Sequence, residues 1–279
     1  MLESTFQLAS GIGPAREHRL WRAGIADWSD FQQTKDAGLP GRAGQQLRSA
    51  IEAAADALAR GDADRLGSLL PAGEHWRMLP AFGDAVLYLD IEIGDDDVRF
   101  EGISAIGMLD HRGPRLLLGG RDLQFFPEAA HGASILVTFN GLSFDVPILR
   151  RAFPDWRPPV CHVDLRHVLR RLGHGGGLKS IERSLTRLRL ARPDHLAGMG
   201  GWDASWLWRR GRDGDQAALR LFAEYNLYDV VNLRTLMAYA YNALVEVVDV
   251  PAVRALAPRL DVPERGDLLY DVSKILLGL

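Results

Sequence analysis

Ala85-Val86-Leu87-Tyr88-Leu89-Asp90-Ile91-Glu92-Ile93-Gly94 is the stretch whose pattern decides the fold. Its period-two alternation makes it a strand, with Leu87, Leu89, Ile91 and Ile93 on one face and Val86, Tyr88, Asp90 and Glu92 on the other. Two carboxylates thus point the same way among apolar neighbours. Burying them together is costly unless a cation sits between them, and a hard divalent metal taking oxygen ligands meets that need. An edge strand with its polar face in water fits the same pattern.

Outward from this strand, FEGISAIGML (100–109), RLLLGG (115–120) and SILVTF (134–139) read as three more. Helices follow over Phe144 to Ala152, Leu165 to Leu172 and Leu178 to Leu188, then a long one from Asp215 through Glu246 with an irregularity expected near Asn226. Strands first and helices around them predict an α/β domain over residues 82–247, without internal repeats. Residues 37–81 read as a helical connector of two helices broken around Gly61-Asp62, and 248–279 as a helical tail. In the tail, Leu268 to Leu279 is expected to be an amphipathic helix packed on the domain.

At 279 residues the chain has material for one to two domains of about 150 each, and 47% hydrophobic content with 25% charge supports a substantial core. With 33 Lys+Arg against 36 Asp+Glu, the net charge of -3 argues against a simple polycation but leaves room for a basic groove. Resolved along the chain, Asp84 to Asp110 holds eight acids and one base, whereas Leu149 to Arg192 holds eleven bases and three acids. The first imbalance suits a metal and the second a phosphate backbone. A single cysteine, Cys161, excludes an internal disulfide framework and a multi-cysteine zinc site. No signal peptide and no run of 18 apolar residues is found, and a cytoplasmic location is expected.

Two further acidic motifs follow. Thr138-Phe139-Asn140-Gly141-Leu142-Ser143-Phe144-Asp145-Val146-Pro147 runs from a strand through a turn able to take positive φ into a helix starting near Ser143. Asp145 lies in its first turn, where the helix dipole alone would also favour an acid. In Glu224-Tyr225-Asn226-Leu227-Tyr228-Asp229, the i,i+4 spacing puts the Tyr225 phenol and the Asp229 carboxylate on one helical face, a pairing that ordinary core structure also produces.

Taken in order, the D-I-E, N-x3-F-D-x-P and Y-N-x2-D-V motifs resemble the three exonuclease motifs of the DEDD 3′-to-5′ exonucleases, which share the ribonuclease H-like fold. The likeness covers residues 84 to 240. It is to the DEDDy branch, because Glu224 stands where the other branch has histidine. The Gly177-Leu178-Lys179-Ser180-Ile181-Glu182 stretch and the helical front end are most similar to bacterial YprB-type ribonuclease H-like proteins. The resemblance implies a mixed sheet flanked by helices and two Mg²⁺ or Mn²⁺ ions. It implies that Asp90 bridges the ions, Glu92 and Asp229 complete the shell of the first ion, and Asp145 holds the second, partly through water. Tyr225 would orient the attacking water, and Asn140 would contact the terminal nucleotide or brace its motif. Nucleic acid with a single-stranded 3′ end is the implied partner; DNA is favoured, with RNA possible, only on account of the hairpin-like front end. A catalytically silent binding or scaffold protein of the same fold, or an endonuclease, is the alternative.

Other residues carry weaker signals. The basic segment Leu149 to Arg192, with Phe153 and Trp156, is expected to track a strand and offer rings for stacking, with Lys179 as the leading phosphate contact. In residues 1–36, Gly11-Ile12-Gly13, a following helix over Glu17 to Ala23 and Ala23-Gly24-Ile25 look like part of a helix-hairpin-helix module, with a further short helix over Trp28 to Lys35. In such a module hairpin N–H groups hold DNA phosphates. His162 and His167 with Asp164 are weighed as a metal cluster and set aside as a strand end entering a helix. Trp202, Trp206 and Trp208 are expected to pack the domain or line the groove.

Overall fold

The computed structural model of the chain describes residues 1–35, 37–39, 41–94, 97–190 and 192–263. The expected helix over 268–279 lies outside them. Helices α1 (Pro14–Arg22), α2 (Trp28–Gln33), α3 (Gly41–Ala59) and α4 (Ala63–Leu69) come first. Strands β1 (Val86–Ile93), β2 (Ile103–Asp110) and β3 (Gly113–Leu118) follow, then α5 (Phe126–Ala129), β4 (Ile135–Thr138), α6 (Asp145–Ala152) and β5 (Cys161–Asp164). Last are α7 (Leu165–Arg171), α8 (Leu178–Ser184), α9 (Gly201–Arg212), α10 (Gln216–Glu246) and α11 (Pro251–Ala255).

The five strands form one mixed sheet in the order β3-β2-β1-β4-β5. Strand β2 runs antiparallel to β1 and β3, whereas β4 and β5 continue parallel to β1. β1 is therefore the central strand, and its alternation sorts the two layers. Leu87, Leu89 and Ile91 pack with Phe126 of α5, Leu149 of α6 and Trp156 in the loop after α6. Val86 and Tyr88 face the other layer, where Leu233, Leu236 and Met237 of α10 join Val168 and Leu169 of α7. Asp90 and Glu92 consequently look toward α10. Beyond them, Ala105, Leu116 and Leu118 of β2 and β3 pack under Phe222 of α10 and Trp208 of α9.

Besides the four-residue α5, which the sequence reading lacks, three elements differ from it. The fifth strand was read only as a strand end, because four residues bearing His162 and Asp164 give no apolar run. Helix α9 was not anticipated, since glycines open it and three tryptophans interrupt its pattern; Asp203 stabilises its start by accepting from the Gly200 N–H at 2.8 Å. Helix α10 runs unbroken through Asn226. The Asn226 amide is spent on Asp90 rather than on its own backbone, so it does not compete with the helical ladder.

The N-terminal 79 residues share their core with the sheet domain. Phe6, Trp21, Trp28, Phe31, Leu47 and Trp76 belong to the same buried cluster as Val86, Tyr241 and Val245. A buried ionic network ties them together. The Glu17 carboxylate accepts from Thr5 Oγ1, the Phe6 N–H and Gln7 Nε2, each at 2.8 Å, and from Arg77 Nη2 at 2.9 Å, while Arg77 Nε reaches Glu74 at 2.7 Å. Residues 1–13 form turns, with no helix among them. Those residues are instead used to bury Phe6, Leu8 and Ile12 and to donate to Glu17. Gly11 does sit at φ +80°, its carbonyl accepting from Arg16 Nη1 at 2.7 Å, and Gly13 caps α1. Among the described residues, no helix is long and apolar enough to cross a membrane.

Candidate metal centre

Strand β1 and helix α10 bring three acids together. Single oxygens of Asp90, Glu92 and Asp229 all lie within 4.8 Å of one another. Oxygens sharing one cation at bond lengths of about 2.1–2.5 Å are at most about 5 Å apart, so the donor set fits a hard divalent ion. The fourth acid, Asp145, arrives from the first position of α6. β4 leaves the ladder after Tyr88↔Val137, and Asp145 Oδ1 accepts from the Ile91 N–H at 3.1 Å, between the two β1 acids. Three motifs distant in sequence thus converge at the C-terminal end of β1, Asp229 from the α10 side and Asp145 along the strand edge.

Electrostatics agree with the geometry. Burial, then the charges of Asp229, Asp145 and Glu92, push the Asp90 carboxyl well above its ordinary range. Burial and Asp229 push Glu92 up to about 8. Burial also raises Asp145 to about 7, although the Ile91 N–H works in the opposite direction. Each of these acids holds its proton more tightly than a free carboxyl does, the behaviour of a site short of positive charge.

Two cations offset part of that deficit. Arg192, only 5% exposed, donates from Nη2 to Asp229 and to Glu182 Oε1 at 3.0 Å, with Nε to Glu182 Oε2 at 3.1 Å. Burial opposes its charge, but the two carboxylates outweigh that cost and hold the guanidinium ionised. Asn232 Nδ2 completes the group on Glu182 at 2.8 Å. Lys179 donates to the Tyr225 hydroxyl, lies 4.1 Å from the centre of its ring, and stands 3.9 Å from Asp229. In this structure its ammonium therefore serves the acid face of α10. Burial, with Asp229 next, raises the Tyr225 phenol above its ordinary value, which keeps it protonated at neutral pH.

Asn226 was not singled out as a site residue, yet it is fully buried and its Nδ2 donates to Asp90 Oδ2 at 3.0 Å. Room for it comes from Gly107, the residue opposite Asp90 in the β1–β2 register, where a Cβ would fall 2.1 Å from Asn226 Oδ1. An isolated glycine inside a strand is the one sequence signal for such close approach. Arg192 and Glu182 left no comparable signal.

The second motif is held by Asp164, which accepts from the N–H groups of Asn140 at 2.8 Å, Leu142 at 3.1 Å and Arg166 at 3.0 Å. Asn140 adopts φ +68°, and its Oδ1 accepts from Arg166 Nη1 at 2.5 Å, so in this structure it braces the loop. Gly141 is required there, because a Cβ would lie 2.2 Å from Thr138 Oγ1. Asp164 works as a backbone anchor, and among the described residues the only group of three or more such ligands is Asp90, Glu92 and Asp229. One expectation is corrected: Phe153 and Trp156 are buried, their rings 5.0 and 4.9 Å from Phe126, and cannot stack on bases. Gly11 and Gly13 stand apart, in the turn before α1.

A mixed sheet whose central strand presents two acids to a third on a crossing helix defines an α/β domain with a buried acidic cluster of the right spacing for a divalent cation. The RNase H superfamily model RNase_H_2 matches residues 87–241, more than half of the chain, and the chain belongs to this superfamily. No curated protein and no solved structure matches it. Membership and the buried acidic cluster together point to a nuclease that binds a divalent metal and takes nucleic acid as its substrate.

Proposed function

We propose that this chain is a 3′-to-5′ exonuclease of the DEDDy branch, related to the YprB-type proteins, that hydrolyses phosphodiester bonds at single-stranded 3′ ends, with DNA favoured. The observation that carries this reading is the placement of the Tyr225 hydroxyl beside Asp229, on the α10 face that meets Asp90 and Glu92. An endonuclease of this fold has no need of a phenol there.

Asp90, Glu92 and Asp229 would hold one divalent ion, with Asp145 and Asp90 toward a second, Mg²⁺ or Mn²⁺. Bound there, the ions would supply Lewis acidity to the attacking water and the leaving 3′ oxygen. The protein's own residues do the rest. Tyr225, kept protonated, orients water by hydrogen bonding and does not take its proton, since a phenol of raised pKa is a poor base. Asn226 fixes the Asp90 carboxylate, and Arg192 fixes Asp229. Lys179 stands where its ammonium can turn from Tyr225 to a substrate phosphate. The Gly11–Gly13 turn with Arg16 is a second proposed phosphate contact, remote from the acids.

Purified protein with Mn²⁺ should shorten a 5′-labelled single strand one nucleotide at a time, releasing mononucleotides, and Asp90→Ala should abolish this. Oligonucleotide products would favour the endonuclease; equal activity in the Asp90→Ala protein would overturn the assignment.

A further inference from the structure

The three tryptophans of α9 divide between two faces. Trp208 is buried against Phe222, but Trp202 is 92% exposed and Trp206 55% exposed. Residues 202 and 206 are one turn apart and share the outward stripe of the helix with Arg209 and Arg210, all exposed. Two indoles left in water on one stripe are costly unless they meet a partner, because each forfeits most of the ~1.5–3 kcal/mol that burying a large apolar side chain gives.

The stripe adjoins the acid site. Ser205, on the flank of α9 next to Trp202, donates to the Ile93 carbonyl at 3.1 Å, and Ile93 directly follows Glu92. A Cβ on Gly94 would come 3.2 Å from the same hydroxyl, so strand end and helix are in close contact. A polymer leaving the acids past the end of β1 meets this helix. Chemistry of the stripe matches a nucleic-acid strand: α9 carries three arginines against one acid, and that acid, Asp203, is engaged by the Gly200 N–H. One ring is also pre-positioned, with the Arg210 guanidinium 4.8 Å from the centre of Trp206 and itself held by Asp215 at 2.5 Å.

We infer that Trp202 and Trp206 on α9 form a stacking platform for the bases of a single-stranded nucleic acid whose end occupies the acid site. Duplex is a poor ligand for this surface, since paired bases offer no free faces. The inference rests on the proposed function for the direction of the strand, and it assigns the side chains that would hold the unpaired bases upstream of the acid site.

The test is binding of a fluorescent dT12 strand, and of the same strand in a duplex, to the full chain in EDTA, where nothing is turned over. Single-strand affinity should fall at least about fivefold in Trp202→Ala and further in Trp202→Ala/Trp206→Ala, and be recovered by Trp202→Phe, with little change in the duplex affinity. Tryptophan fluorescence of the wild-type protein should be quenched on adding dT12. Unchanged affinity in the double variant overturns the platform, as does absence of single-strand binding by the wild type. Concentration-dependent self-association abolished by Trp202→Ala, with dT12 affinity intact, would assign the stripe to a second copy instead. The nuclease reading fails separately, in the hydrolysis assay with Mn²⁺ and wild-type protein.

Discussion

Asn226 fills the space that Gly107 leaves open beside Asp90. The glycine faces Asp90 across the β1–β2 ladder, and a methyl group there would collide with the amide that holds the carboxylate. Asn226→Ala should therefore weaken Mn²⁺ binding, read by calorimetry, by about 1–3 kcal/mol, the range for losing a hydrogen bond to a charged group. Gly107→Ala should do the same although residue 107 touches no ligand. In the double variant the two losses should be less than additive, because removing the amide removes the main clash. Strict additivity would separate glycine from asparagine and sink the coupling.

Protons and metal should compete at the acids. Folded-state values of about 8 for Glu92 and about 7 for Asp145 lie above the ordinary 4.5 and 3.8, so the folded protein binds more protons than the unfolded chain between those limits. Stability from these groups is complete below about pH 4 and is lost as pH rises through 7 to 8. In EDTA the melting temperature should fall from pH 5 to pH 8, and Mn²⁺ should flatten that slope by replacing protons. A metal-free melting temperature that rises over the same range would contradict the site's electrostatics.

Arg192 joins two buried carboxylates, Glu182 and Asp229. Arg192→Met should cost about 3–5 kcal/mol in urea unfolding, because both acids lose a desolvated partner. Adding Glu182→Gln should recover part of this loss. A cost below 1 kcal/mol would mean that water replaces the guanidinium.

Tyr225→Phe removes one oxygen. If that hydroxyl orients water, kcat on a single strand should drop roughly 10- to 100-fold with KM and Mn²⁺ affinity little changed, since misplacing a reactant by about 1 Å has such an effect. An unaltered kcat would remove the phenol from the mechanism and favour endonucleolytic cleavage.

Much of this site was legible because its residues obey local periodicities. Alternation in β1 placed Asp90 and Glu92 together, and i,i+4 spacing placed Tyr225 with Asp229. The supporting residues are long-range partners with no period to betray them. Arg192 meets Asp229 across 37 residues and Asn226 meets Asp90 across 136. The aromatic pattern misled for a similar reason: Phe153 and Trp156 lie among basic residues in sequence, but their rings turn inward to Phe126, and the two most exposed rings, Trp202 and Trp206, belong to a helix that its composition concealed.

The continuous cluster that runs from Phe6 and Trp21 to Tyr241 and Val245 bears on autonomy. The stretch over 87–241 that carries the family's signature shares a buried cluster with the residues before it. Excised alone, it would expose the Tyr241 ring of α10, against which Trp76 packs at 5.7 Å, and would lose the buried Arg77–Glu17 pair. Selection on the front end can therefore preserve it as scaffold for the acid site, whether or not that region ever touches nucleic acid.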